Sequence, residues 1–161
     1  MKLSSTVIAF LQNENKYLLM KRAENRTHYP GLWCGIGGGM KEYEAENPYK
    51  ACLREIEEET GITSSDINSL DLMYVLICKN KGFMRITYIF FGKTSKNDII
   101  QSEEGELFWI SEKDLLHRKY SKHIAVMLEH YVKRDACDGS VYAGILSNDE
   151  IKWMPFEDCE L

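Results

Sequence analysis

Asn47-Pro48-Tyr49-Lys50-Ala51-Cys52-Leu53-Arg54-Glu55-Ile56-Glu57-Glu58-Glu59-Thr60-Gly61-Ile62 is the stretch on which the reading of this chain turns. Its punctuation predicts a helix over 48–60. Asn47 can cap the start, Pro48 takes the first helical position, where a missing N–H costs nothing, and Gly61 supplies the stop. Glu55, Glu58 and Glu59 fall at i, i+3 and i+4, so their carboxylates share one face. Like charges at that spacing destabilise a helix by roughly 0.2–0.5 kcal/mol per pair. Glu58 and Glu59 also lie at the negative end of the helix dipole, at a further cost of roughly 0.3–1 kcal/mol each. Leu53, Ile56 and Tyr49 point elsewhere and are expected to seat the helix in a core.

Such a row of acids needs a compensating charge. Arg54 is one candidate, although Arg before Glu at i, i+4 is the poorer orientation. A divalent cation is the better one, and carboxylate oxygens without His or Cys suit Mg²⁺ or Mn²⁺. The plain alternative is a solvated helix face.

Outward from this helix, residues 5–11 and 17–21 are short apolar runs around Asn13-Glu14-Asn15 and predict a hairpin. Residues 22–32 read as a polar loop ending in Pro30-Gly31, and 33–36 as a short strand running into Gly37-Gly38-Gly39. Downstream, 71–79 and 83–94 are β-rich runs joined by a tight turn at Asn80-Lys81-Gly82. The unbroken apolar run 72–78 suggests a strand covered on both faces. Further elements are a strand at 106–110, a short helix at 111–117 capped by Ser111, and an amphipathic helix over 121–134 with Ile124, Met127, Leu128 and Tyr131 on one face. The tail, 137–161, alternates around Ser147-Asn148-Asp149 as for a last hairpin, whose edge leaves a homodimer open. Strands mixed with helices argue for an α+β fold or an α/β/α sandwich, in one domain over 1–161, rather than a purely doubly wound sheet.

The 161 residues are 44% hydrophobic and 28% charged, which excludes a disordered or fibrous chain. No apolar run approaches the roughly 18 residues of a membrane span. The N-terminal run stops at Gln12-Asn13 without a cleavage site, so no signal peptide is expected. Five scattered cysteines with no CxxC pair suit a reduced, cytoplasmic protein. Net charge is −5, and 41–60 alone hold seven acids against three bases. Residues 72–97 hold no acid and five bases, among them Arg85. A dense acidic cluster beside basic strands suits a cation plus a polyphosphate, and no stable nucleic-acid complex is expected.

Residues 54–62 fit R-E-U-x-E-E-x-G-U at every position, U being a bulky aliphatic, with Glu46 eight residues upstream and a glycine run before it. This resembles the signature of the Nudix hydrolase family, MutT-like pyrophosphohydrolases, G-x5-E-x7-R-E-U-x-E-E-x-G-U. The flanks Leu18–Arg22 and Pro30–Trp33 are similar to the family's strand and loop before that box, and the resemblance covers a core at about 5–133. One spacing departs. Gly39 and Glu46 are separated by six residues rather than five; Glu44 restores five from Gly38 but stretches the next gap to nine. A one-residue insertion ahead of Glu46 is the reading adopted.

The resemblance implies an α/β/α sandwich with a mixed sheet and Mg²⁺-dependent hydrolysis of a nucleoside diphosphate-linked substrate, with Mn²⁺ as a possible substitute. It implies that Glu55, Glu58 and Glu59 hold metal, with a carbonyl of Gly38 or Gly39 as a further ligand, and that Arg54 orients the carboxylates. Glu103 or Glu104, with Glu106 as a third candidate, is expected to supply a late-loop acid, with a slight preference for Glu103; the plain alternative is an ordinary surface turn. Arg22, Trp33, Gly38 and Gly39 are the expected substrate contacts. Two other classes stay open: a nucleotide sensor without catalysis, which an intact acid row disfavours, and an isopentenyl diphosphate isomerase relative, whose cysteine and histidine motifs are not found. Cys34 is either a core thiol or a nucleophile. His123 and His130, seven apart, lack a third zinc-type ligand. An 8-oxo-dGTP, an ADP-ribose and a nucleotide-sugar substrate are equally compatible.

Overall fold

The computed structural model describes residues 2–135, 138–147 and 150–156. The chain runs β1 (Lys2–Asn13), β2 (Lys16–Arg22), β3 (Trp33–Cys34), β4 (Ile36–Gly39), α1 (Pro48–Thr60), β5 (Ile67–Asn80), β6 (Phe83–Thr94), β7 (Gly105–Ser111), α2 (Lys122–Lys133), β8 (Tyr142–Ser147) and β9 (Glu150–Pro155). The described strands join in one mixed sheet, ordered β3-β2-β1-β6-β5-β8-β9, with β4 alongside β1 and β7 alongside β2. β1 and β6 run parallel, as do β5 and β8; the other pairs are antiparallel.

The organising strand is β1. Its Val7, Ala9 and Leu11 enter one core with Ile36, Ile56 and Leu107, under α1. Phe10 enters the opposite core with Tyr74, Ile89, Met127 and Leu128, under α2. Alternation with period two thus feeds two cores from one strand, and the result is the expected α/β/α sandwich. Burial on both faces belongs to β1 rather than to 72–78. In β5, Tyr74 and Leu76 are buried, whereas Val75 and Ile77 are only half-buried, because α1 packs over β1 and β4.

Other expectations meet similar local corrections. Tyr49 is exposed and only edges Phe90; Ala51, Cys52 and Ile56 seat α1. Ser111 occupies the cap position of a 3₁₀ turn, Glu112–His117, without a side-chain capping bond. The tail hairpin forms as β8 and β9 and extends the sheet beyond β5. Its turn residues Asn148 and Asp149, like Cys137 and Cys159, lie outside the described residues. Among the described residues no helix is long and apolar enough to cross a membrane.

Candidate active site

The site forms where α1 meets the glycine strand. Gly37, Gly38 and Gly39 of β4 lie opposite Ile8, Val7 and Thr6 of β1. A Cβ on Gly38 would stand 2.8 Å from a Glu55 carboxylate oxygen, so the missing side chain is what lets that carboxylate press onto the strand. The Gly37 N–H donates to Glu59 Oε2 at 3.1 Å. Glu55 and Glu59, one turn apart on α1, are only 9% and 8% exposed. The Glu58 side chain is 54% exposed, at the rim.

Arg54 is the cation that holds this row. It donates to Glu44 from Nε (2.6 Å) and Nη2 (2.9 Å), and from Nη1 to Glu55 (2.7 Å) and Glu58 (2.9 Å). The five donors of a guanidinium fork make such sharing possible, and the i, i+4 order does not prevent the bond to Glu58. The same fork reaches the Gly39 carbonyl at 3.3 Å. Lys41 adds a weaker contact to Glu58 at 3.6 Å.

Glu44 corrects the expected insertion. It is 5% exposed, inside a short 3₁₀ turn whose Lys41 N–H donates to its carboxylate at 2.8 Å. Glu46 is exposed. The extra residues therefore lie between Glu44 and the helix, not between Gly39 and Glu46. The fork of Arg54 holds the Glu44 carboxyl well below its usual range, at about 2.

Electrostatics set Glu59 apart. Burial, then the neighbouring Glu55, push its carboxyl up to about 8, against the pull of the Gly37 N–H. Burial also raises Glu55, with Arg54 opposing. Two buried carboxylates side by side are costly to ionise unless a cation is shared between them. Among the described residues three acids do not converge into a closed metal cluster. The donor chemistry still fits a hard divalent ion: Glu55 and Glu59 behind the glycine strand, and Glu58 at its rim.

The late-loop pair separates. Glu104 is half-buried, is held by Arg26 at 2.8 Å and Arg22 at 3.9 Å, and its charge is felt at Glu59. Glu103 is exposed and lends only its carbonyl to Arg26. The structure therefore brings Glu104 to the acid row and leaves the Glu103 side chain outside.

A groove of about 540 Å³ opens on the α2 side of the sheet and reaches the glycine strand. Arg22, Trp33, Gly38 and Gly39 all line it. Trp33 is fixed between Phe108, at 5.4 Å between ring centroids, and the Arg118 guanidinium, at 5.2 Å. Cys34 lines it too, but burial pushes its thiol up to about 11, which disfavours a thiolate nucleophile. His130 bonds the Tyr74 hydroxyl through Nδ1 at 2.9 Å and packs its ring against Tyr74, Tyr142 and Trp153. The groove's far wall, with Arg85, Cys78 and Phe83, escaped the sequence reading, where Arg85 counted only as one of five dispersed bases.

The NUDIX domain model matches residues 2–131. The chain belongs to the Nudix hydrolase family. It is thus a pyrophosphohydrolase, of a class acting on nucleotide-linked substrates. Nucleoside triphosphatase NudI of Escherichia coli is 30% identical over 126 residues, spanning 73% of this chain and 88% of that protein. The MutT protein of Methanosarcina mazei superposes with a TM-score of 0.69 at 25% identity, over 82% of this chain and 94% of that one. The MutT protein of Bacillus halodurans gives 0.71 at 19% identity, over 94% and 97%, a likeness of fold. This Nudix chain keeps the acid row of the family signature and departs only in the loop around Glu44.

Proposed function

We propose that the protein hydrolyses a nucleoside triphosphate to the monophosphate and pyrophosphate, with Mg²⁺ as cofactor and Mn²⁺ as a substitute. The observation that carries this is the buried Glu55–Glu59 pair, pressed against a side-chain-free strand whose other side opens into the groove. The likeness to a nucleoside triphosphatase supports the substrate class. Glu55, Glu58 and Glu59 would hold the cation, with the Gly38 carbonyl as a further oxygen. A divalent ion there supplies neutralisation of the phosphate charge and activation of water.

The remaining work falls to the chain itself. Arg54 keeps Glu55 and Glu58 oriented while Glu44 fixes Arg54. Arg22, at the groove wall, pairs with phosphate oxygens of the substrate. Glu104, steadied by Arg26, takes the proton from the attacking water. Water adds to phosphorus, the bridging P–O bond breaks, and the two phosphate products separate. The test is incubation with a panel of nucleotide pyrophosphates in Mg²⁺ or in EDTA, with products identified by mass spectrometry. Monophosphate and pyrophosphate should form only with Mg²⁺. Full turnover in EDTA would refute the metal assignment, and no turnover of any nucleotide would refute the hydrolase reading.

A further inference from the structure

The side of the sheet away from α2 is only partly covered. α1 packs over β1 and β4, and the strands beyond them keep that side open. Strand pairing fixes which side chains stand there. One row runs Val7, Tyr88, Val75, Ala143 and Met154 across β1, β6, β5, β8 and β9. The next runs Ser5, Ile86, Ile77, Ile145 and Lys152, and a third Leu3, Met84 and Lys79. Leu3, Ile145 and Met154 are 61%, 47% and 59% exposed, so these rows form an apolar platform in contact with solvent.

The tail is what enlarges it. An outer hairpin with one solvated face ordinarily alternates apolar inward with polar outward. Tyr142 and Trp153 do pack inward, against His130. Ile145 and Met154, on the opposite face, are apolar as well. This hairpin lies beyond residues 2–131, the part that matches the NUDIX domain model. Five strands about 4.8 Å apart and same-face rows about 6.7 Å apart give the platform a span of roughly 19 by 13 Å. That is the scale of one layer of a small β-sandwich, whose sheets pack about 10 Å apart.

The charges around the platform complement one another. Those in the three rows are Lys79 and Lys152, both exposed. Val7, in the first row, packs under α1, so α1 stands on this same side of the sheet. Glu57 is exposed on α1 and Glu46 just before it, and the exposed Tyr49 edges Phe90 of β6. β9 ends the sheet among the described strands, so its outer backbone edge adjoins the platform at the lysine end. A twofold turn brings the lysine-bearing β9 of one copy beside the acid-bearing α1 of the other, and does so twice. A surface that holds both halves of its own complement is what an isologous contact requires.

We propose that this face is the interface of a homodimer, in which two copies pack open sheet on open sheet with each α1 alongside the β9 of the other. The groove lined by Arg22 and Trp33 lies on the opposite side of the sheet and stays open in the dimer, so the inference does not rest on the hydrolase reading. The platform is at the small end for a stable interface, so the dimer should dissociate on dilution through the micromolar range.

The test is sedimentation velocity of the full chain over a concentration series, in low and high salt. The parent should move from the mass of one chain to that of two as concentration rises, and salt should weaken the association. Ile145→Glu and Met154→Glu should each keep the mass of one chain throughout. Both should retain parental kcat, and parental Tm at dilutions where the parent is itself a monomer. Lys152→Glu should weaken the dimer roughly fivefold, a surface ion pair counted in both halves. A parent that stays a single chain at every concentration would overturn the proposal. So would a dimer that persists in both glutamate variants, because the contact would then lie elsewhere. A Lys152→Glu dimer as tight as the parent's would overturn the placing of α1 beside β9.

Discussion

Arg54 is one cation shared by three carboxylates, and Glu44 holds the best of its bonds. Glu44→Gln should cost about 1.5–3 kcal/mol in a chemical denaturation series, the range for a hydrogen bond to a charged group. It should also lower kcat roughly 10- to 100-fold, as loss of an outer partner of ligating groups does. Glu46→Gln should stay within about ±0.5 kcal/mol and keep parental turnover. Equal behaviour of the two variants would return the loop to the other register. A second contrast concerns the late loop. Glu104→Gln should lower kcat by roughly 10²-fold or more, the low end for a positioned base, and Glu103→Gln should be near neutral. Parental kcat in both variants would remove the late-loop acid from the mechanism.

At the level of elements, α1 begins and ends where its sequence dictates. Asn47 Oδ1 accepts from the Lys50 N–H at 3.0 Å, and Gly61 adopts a φ of 72° at the C-cap. Gly61→Ala should therefore lower stability by roughly 1–2 kcal/mol, read as a drop in Tm, with kcat unchanged. Gly38→Ala should act the other way round: a Cβ there displaces the Glu55 carboxylate, so turnover falls more than stability. The helix, the hairpins and the acid row were legible because each rests on local chemistry: caps, turn residues, periodicity. The position of Glu44 was less so. Its five-residue spacing from Gly38 was visible, but only the folded 3₁₀ turn shows that the extra residues are absorbed after it. The two-face burial of β1 was hidden for a similar reason, since it depends on which strand the two helices cover. The β1–β6 pairing joins residues 81 positions apart in a parallel register that neither strand carries alone.

Across the whole molecule, the two cores hold the sheet while the acid row opposes folding unless its charge is met. Burial raises Glu59 to about 8 from an ordinary 4.5, and raises Glu55 in the same direction. A carboxyl with a raised folded-state pKa contributes stability fully below the unfolded value and loses it as pH rises through the folded one. Glu44 and Asp66, both lowered to about 2, contribute stability above the unfolded range and are constant over this window. Burial lowers His130, which opposes this trend below about pH 6.5, so metal-free protein should lose Tm from about pH 7 to pH 8, and saturating Mg²⁺ should flatten that slope. The most direct measurement is the Tm of the parent and of Glu59→Gln at pH 8, each in EDTA and in Mg²⁺, beside one turnover assay. The account predicts that Glu59→Gln melts above the parent in EDTA, gains less from Mg²⁺ than the parent does, and loses turnover. A variant that melts with the parent in EDTA, gains as much from Mg²⁺ and still turns over would contradict it.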